Sequence, residues 1–414
     1  MRPTIIRRAD HPVSRKQMSQ EVLKVLYRLH RTGHLAYLCG GGVRDLLLRR
    51  QSGDFDVVTD AEPKRLKHIF RNCRLIGRRF RMAHIVFKGG KIIEVSTFRK
   101  KGEDEEGEGN RDSLLIKRDN TFGSPAEDAF RRDFTVNGLF YNVADFTVID
   151  YVGGKADLAR RLIRCIGNPD IRFQEDPIRI LRGIRLAASL QFQVEKSTWE
   201  AMQRQRGHIL QCPVSRVREE IMKILRRDGT FNAFELLVRA SVLEFLFPKL
   251  DVFLRTCEES NHTLLEHFWQ HLAVLDDLRS KGERLSDPLL LAALTATPMM
   301  ASIETMPSDQ DMGKSVHQYV EEYFKPLTIP RIVRARVYLL HLALRYMLTP
   351  KRKKRRRSLR RSPVFADALT LLAIHCRATQ QHWSALARWQ QPQEQRRPSR
   401  DSTKTHVQSG ERLS

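Results

Sequence analysis

Two carboxylates set one residue apart, Asp54 and Asp56 in Gly53-Asp54-Phe55-Asp56-Val57-Val58, follow a glycine run, Cys39-Gly40-Gly41-Gly42-Val43-Arg44-Asp45. On a β-strand, successive side chains point to opposite faces, so Asp54 and Asp56 would share a face. Two ionised carboxylates held that close repel each other unless a cation lies between them. Oxygen-only ligation by few protein groups suits Mg²⁺, which keeps waters and takes substrate phosphates as its other ligands. In a two-metal arrangement one ion lowers the pKa of an attacking hydroxyl and the other steadies the leaving phosphate. Glycines let backbone approach a phosphate closely, and helix N-termini attract anions. The expectation is a nucleoside triphosphate site with two Mg²⁺ ions. An Asp-x-Asp alone could be two exposed acids at a strand start; the glycine run separates the readings.

Three further groups of residues extend this site. Glu94, framed by Ile92, Ile93 and Val95, is expected to be buried and therefore paired or metal-bound, a third carboxylate; the alternative is an edge-strand Glu facing water. Gly41, Gly42 and Arg44 form a phosphate cradle, in which Arg44 can clamp a triphosphate oxygen through paired N–H donors. In Arg131-Arg132-Asp133-Phe134-Thr135-Val136-Asn137, two arginines beside an acid and an amide could contact phosphates, ribose and metal ligands together, or make a local salt bridge and a cap. Finally, Glu175-Asp176-Pro177-Ile178-Arg179-Ile180-Leu181-Arg182 opens a helix, with Asp176 as N-cap and Pro177 first. Ile178, Leu181 and Ile184 face the core, and Arg179, Arg182 and Arg185 lie on the neighbouring face. Asp176 and an arginine could read a nucleobase edge, allowing polymerisation with no template strand; the plainer reading is a cap plus a Glu175–Arg179 pair.

The surrounding pattern predicts how these residues are held. A helix is expected over Ser14–Arg31, a strand over His34–Cys39, a helix over Val43–Arg50 and a second strand over Asp54–Val58. A helix from Pro63 to Phe70 and paired strands Arg81–Phe87 and Lys91–Phe98 follow. Lys101–Asn110, rich in Glu and Gly, reads as a solvated mobile loop. After strands Leu139–Asn142 and Thr147–Tyr151 the pattern is helical, through Pro177–Leu190, Val214–Arg227, Phe231–Phe247, Thr263–Lys281, Pro288–Ala296, His317–Phe324, Ile332–Met347 and Phe365–Ala378. The fold class is an α/β N-terminal third followed by an all-α remainder.

Composition bounds the partners. The chain has 414 residues, two or three domains by length, and is 41% hydrophobic. No run of apolar residues is long enough to span a bilayer, and Arg2, Arg7 and Arg8 precede no apolar segment of a secretory signal. The formal net charge of +25 implies a polyanionic partner, nucleic acid first and an acidic membrane surface second. Candidate RNA contacts are Arg78, Arg79 and Arg81, and the run Lys351, Arg352, Lys353, Lys354, Arg355, Arg356, Arg357 that continues to Arg361. Six cysteines without a Cys-x-x-Cys pair indicate reduced thiols in a cytoplasmic compartment.

These motifs, in this order, resemble the class II nucleotidyltransferases, which comprise bacterial poly(A) polymerases and tRNA CCA-adding enzymes. His11-Pro12-Val13-Ser14-Arg15-Lys16, the Gly77–His84 and Arg118–Ser124 segments, and Asp150-Tyr151-Val152-Gly153-Gly154 are similar to the poly(A) polymerase branch. The resemblance implies a nucleotidyltransferase head of mixed sheet and helices followed by an all-α neck, body and tail. Its expected bounds are an extension at 1–13, head 14–156, neck 157–250, body 251–350, a basic RNA-binding helical region 351–389 and a disordered tail 390–414. It implies Asp54, Asp56 and Asp133 as active-site acids, Gly41, Gly42 and Arg44 on the triphosphate, and Arg132, Asn137, Asp176, Arg179 and Arg182 around the nucleotide. The implied reaction is attack by an RNA 3′-hydroxyl on the α-phosphorus of ATP, releasing pyrophosphate, in RNA polyadenylation and mRNA processing. A monomer acting on RNA 3′ ends, with RNA-decay proteins as partners, completes the expectation. A CCA-adding enzyme and a non-catalytic RNA-binding relative are the alternatives. Two departures stand out: the turn before Asp54, Arg49-Arg50-Gln51-Ser52-Gly53, lacks the family's usual Gly and Pro, and Gly138 stands where the family has Ala or Ser.

Overall fold

The computed structural model describes residues 2–51, 53, 55–77, 81–100, 122–304, 312–349 and 358–391. Asp54, Arg78, Arg79, the acidic stretch 101–110, the basic residues 351–357 and the tail beyond 391 lie outside them.

Eight strands form one mixed sheet: β1 Thr4–Ile6, β2 Ala36–Cys39, β3 Asp56–Thr59, β4 Cys73–Ile76, β5 Met82–Val86, β6 Ile92–Thr97, β7 Leu139–Asn142 and β8 Val148–Asp150. Their spatial order is β1-β8-β7-β2-β3-β6-β5-β4. Only β3 and β6 run parallel; the other neighbouring pairs are antiparallel. The residues expected to extend ahead of the head instead supply its edge strand, Thr4 pairing with Asp150. The edge strand β4 also falls where no strand was expected.

Helices close both faces of the sheet. The first, α1 (Gln20–Arg31), begins where the Ser19 hydroxyl accepts from the Val22 N–H. It starts later than the pattern suggested because Ser14 and Gln17 close a capping box around a separate 3₁₀ turn. Its buried stripe of Val22, Val25, Leu26 and Leu29 joins the core cluster containing Leu38 and Val57. Tyr37, Cys39, Val58, Phe98 and Phe140 face the other way and are closed by Ala129 of a later helix, Pro125–Arg131. Burial on both sides leaves every residue of β2 inside. Between them lie α2 (Gly41–Leu47) and α3 (Pro63–Ile69); Pro125–Arg131 is α4 and Gly154–Ala159 is α5.

The described residues beyond α5 are helical apart from their connections and a short parallel pair, β9 Leu162–Ile163 and β10 Gln193–Val194. The neck comprises α6 Pro169–Glu175, α7 Ile178–Leu190, α8 Lys196–Gln205, α9 Val214–Arg226, α10 Thr230–Arg239 and α11 Leu243–Leu246. The single helix expected over Phe231–Phe247 is broken between α10 and α11, where Ser241 adopts φ of 52°. The body continues with α12 Pro248–Ser260, α13 His262–Ser280, α14 Asp287–Leu294, α15 Ala296–Glu304, α16 Met312–Phe324 and α17 Arg331–Leu348. Two last helices, α18 Phe365–Thr379 and α19 Trp383–Gln390, complete it. Leu371, Leu372 and Ile374 of α18 are fully buried, and α18 packs against α13, α14 and α17, so this part of the expected RNA-binding region serves the body core. Among the described residues no helix is long and apolar enough to cross a membrane.

Head and neck are seated closely. A Cβ on Gly183 of α7 would lie 2.3 Å from Met202 Cε and 2.7 Å from Phe134 Cζ. Any larger residue there would push the neck off the turn that carries Asp133 and Asn137.

Candidate active site

The site is built where β2 ends and β3 begins. Cys39 pairs with Asp56, and Asp56 pairs with Glu94 on β6, which in turn pairs with His84 on β5. Laterally paired residues share a face, so Asp56, Glu94 and His84 form a row across three strands. Strand β3 starts at Asp56, two residues later than the pattern suggested. Asp54 lies outside the described residues, so its face is not seen. Asp56 is exposed, as a residue at the open end of a strand can be.

Glu94 corrects an expectation. Its side chain is 49% exposed and lies 3.6 Å from His84 Nε2. The apolar neighbours Ile93 and Val95 point to the opposite, buried face, and Glu94 opens onto a cleft. Asp56, Glu94 and His84 line a cleft of about 810 Å³ whose other wall includes Lys16, Ser19 and Lys91.

The glycine run does two things. Gly40 has φ 68° and ψ −138°, a backbone conformation that only glycine adopts at low cost. A Cβ there would sit 3.3 Å from Arg132 Nη1 and 3.9 Å from Asp56 Oδ2. The missing side chain therefore lets a guanidinium and a carboxylate close in on the backbone at Gly40. Helix α2 starts inside the run, at Gly41, and Gly42 is buried. Arg132, at the C-cap of α4, is held by Asp128 Oδ2 at 3.1 and 2.8 Å and lies 5.1 Å over the Phe140 ring.

Arg44 is buried rather than reaching out. It donates to Asp45 Oδ1 at 2.8 Å and to Asn137 Oδ1 at 2.7 Å. Asn137 donates to Asp133 Oδ1 at 3.3 Å, and Arg182 Nη2 lies 2.6 Å from Asp133 Oδ2. A chain of contacts thus runs from α2 through the head's 3₁₀ turn to the neck helix α7. Burial alone would raise the Asp133 pKa, but Arg182, the Phe134 N–H and the Asn137 amide together bring it down to about 2. The Asp133 carboxylate is thus engaged by donors of the protein itself.

The 3₁₀ turn Thr135–Asn137 is itself held by the Asp150–Gly154 motif. Asp150 accepts the N–H groups of Val152, Gly153, Gly154 and Lys155 at 2.9 to 3.1 Å. A Cβ on Gly154 would lie 2.2 Å from Thr135 O. The departure at Gly138 also has a cause: a Cβ there would meet Val152 Cγ2 at 2.6 Å.

The neck residues are engaged too. Asp176 is not a side-chain cap: α7 begins after Pro177 with no capping hydrogen bond, and Asp176 Oδ2 accepts from Arg216 of α9 at 3.0 Å. Arg179 is buried against Glu175 Oε2 at 3.4 Å and Arg172 O at 2.9 Å. Arg185 pairs with Glu220 at 3.0 Å. Arg81 is exposed. Sequence reasoning missed Gly40, Asp128 and Arg172. Asp128 and Arg132 stand at i, i+4, a spacing that signals a pair. Arg172, which donates to Arg132 O at 2.8 Å and to Glu175 Oε2 at 2.8 Å, carried no comparable signal.

A sheet-bound carboxylate beside a glycine turn and an arginine, with a helical neck locked against it, defines a nucleotidyltransferase. Comparison with known proteins agrees. The head-neck-body fold is shared with the CCA-adding enzyme of Bacillus stearothermophilus in complex with CTP, at TM-score 0.64 and 23% identity over 89% of this chain and 80% of that one. A tRNA nucleotidyltransferase complexed with a primer tRNA and an incoming ATP analog gives TM-score 0.59 at 25% identity, over 87% and 95%. Residues 36–164 match the poly A polymerase head domain, and residues 191–254 match the family described as "Probable RNA and SrmB- binding site of polymerase A". Poly(A) polymerase I of Salmonella typhi is 38% identical over 401 residues, 93% of this chain and 84% of the relative. The CCA-adding enzyme of Bacillus pumilus is 34% identical over 224 residues, 54% of each. The chain belongs to the bacterial poly(A) polymerase family.

Proposed function

We propose that the chain adds AMP from ATP to RNA 3′ ends without a template, releasing pyrophosphate. The convergence of the Asp56 carboxylate and the Arg132 guanidinium on the glycine backbone at Gly40 carries this reading. An RNA 3′-hydroxyl attacks the α-phosphorus, and the bond to the β-phosphate oxygen breaks. Arg132 faces the triphosphate with its remaining donor edge, held in aim by Asp128 and Phe140. The backbone at Gly40 and Gly41 approaches the phosphates, with no Cβ in the way. Arg44, Asn137, Asp133 and Arg182 keep the head turn and the neck in register. Asp176 and Arg179, at the junction of α6 and α7, supply an acceptor and donors toward the base.

Mg²⁺ fits this chemistry. Among the described residues no group of three His, Cys, Asp or Glu would enclose an ion alone. Asp56 and its lateral neighbour Glu94 offer only carboxylate oxygens at an open sheet end, and Asp54 adjoins them in sequence. Such a set leaves room for the waters and phosphate oxygens that Mg²⁺ prefers. Bound there, the ion would lower the pKa of the attacking hydroxyl and offset charge on the leaving group.

Asp56→Asn tests the assignment. AMP incorporation into RNA is expected to fall by about 10³-fold or more, while RNA affinity by fluorescence anisotropy stays near that of the parent protein. Undiminished incorporation would remove Asp56 from the reaction.

A further inference from the structure

Of His11-Pro12-Val13-Ser14-Arg15-Lys16 only Lys16 borders the cleft that contains Asp56, yet the whole segment is fixed in place. His11 is buried, its Nε2 lying 2.9 Å from Phe146 O, and Arg8 donates to His11 O at 3.0 Å. This pins Arg15 over the Phe146 ring, Cζ 4.4 Å from the centroid, where it also donates to the Tyr27 hydroxyl. A hollow of about 440 Å³ opens here, walled in part by Arg8, Arg15, Lys16 and Tyr27. Tyr27 and Leu23 are also walls of a second hollow, about 760 Å³, along the outer face of α1. Lys16 is shared with the cleft that contains Asp56. Neighbouring hollows that share wall residues are thus spaced from the active-site cleft, around the N-terminal segment, to the outer face of α1.

The chemistry along this path is uniform. Lys24, Arg28 and Arg31 stand at i, i+4 and i+7 on α1, all exposed, with helical rises of about 6 and 4.5 Å between them. No acid lines either outer hollow. Glu21, the acid of α1, is paired with Lys91 at 2.8 Å. The Arg28 guanidinium lies 5.4 Å over the Phe70 ring, so two arginines on the path stand over aromatic rings. A guanidinium held this way is a planar cation on which a base can stack. Tyr27 and Phe87, half-buried, add further ring surface. Phosphates taken by spaced cations and bases taken by planes are the needs of single-stranded nucleic acid. An acidic peptide would use the charges and leave the planes idle.

We infer that this groove binds single-stranded RNA, holding a stretch upstream of the 3′ end against the back of the head. The inference rests on RNA being the substrate. The test uses the full chain and a 3′-blocked single-stranded RNA of about 25 nucleotides, long enough to cover two binding tracks. The triple variant Lys24→Glu, Arg28→Glu, Arg31→Glu is expected to bind about tenfold more weakly. The slope of log affinity against log salt should fall by about 2, three contacts at roughly 0.7 each. Arg28→Lys keeps the charge and loses the plane, so it should keep the slope and lose several-fold in affinity. A photoreactive base placed away from the 3′ end should crosslink to the peptide spanning residues 15–31. Unchanged affinity and slope in the triple variant, or crosslinks confined to other peptides, would overturn the inference; if the triple variant melts early, Arg28→Lys and the crosslink decide. AMP addition by the unaltered chain is scored separately, so failure of the groove and failure of the enzymatic reading are told apart.

Discussion

At the scale of single residues, the site depends on arginines held by acids. Asp133 shows how. Its carboxylate is buried and stays ionised because Arg182, the Phe134 N–H and Asn137 compensate, which takes its pKa to about 2. A folded pKa below the ordinary carboxylate value stabilises the fold above about pH 4, and that contribution is lost as pH falls through about 2. Arg182→Met leaves the acid buried without its ion partner. It should cost about 1–3 kcal/mol at neutral pH and move the acid loss of stability to higher pH, as read from urea midpoints across pH. An unchanged acid limb would show that Arg182 does not hold Asp133. The residue types of the cradle were legible in the sequence: the Asp-x-Asp pair, the glycine run and Arg132 all stood out. Their geometry was not. Which glycine takes the positive φ depends on where β2 ends, and Glu94 opens onto the cleft while Ile93 and Val95 face the core, an orientation that apolar neighbours in sequence cannot reveal.

At the scale of elements, the neck helix α7 is the part that must be placed most accurately. It carries Arg179 and Arg182 and rests on Phe134 through Gly183. Gly183→Ala inserts a methyl where Met202 and Phe134 already stand. We expect a loss of about 1–3 kcal/mol in stability and, because α7 shifts against the cradle, a fall in AMP incorporation larger than the loss of folded protein. Normal activity and stability would mean the contact can relax freely. Helical spacing made most of these elements readable, since α9, α13, α17 and α18 all carry apolar stripes. What escaped were short or long-range features. The strands β1 and β4 are edge strands of three and four residues, with too little pattern to see. Asp176 looked like a cap in sequence, but Arg216, forty residues away, takes its carboxylate.

At the scale of the whole molecule, one apolar core runs from head to body, and the body buries several histidines. His271 Nε2 meets His375 Nδ1 at 3.2 Å, and Thr297 and the His267 carbonyl face the other nitrogen. Burial pulls the pKa of His271 down to about 4 and those of His341 and His375 to about 3. Each is neutral in the fold and takes a proton near pH 6.5 when unfolded. Their stabilising contribution is therefore complete above that pH and is lost as pH falls toward 4. Between pH 7.5 and pH 5 the loss should be about 2 kcal/mol per histidine, and His271→Asn should flatten the profile of unfolding free energy against pH. A flat profile in the parent protein would contradict the burial. The division into an α/β part and an all-α part, and the basic character of the chain, could be read from sequence; the groove across the back of the head required three separate segments to be brought together in space.

The central claim is that this chain is an adenylyltransferase acting on RNA without a template. The most direct measurement offers each of the four nucleoside triphosphates in turn, with Mg²⁺, to the purified chain on a generic RNA and on a tRNA lacking its 3′ end. Extended tails made only with ATP, on both RNAs, are the predicted result. Addition of C and A in a short, fixed number confined to the tRNA would contradict it.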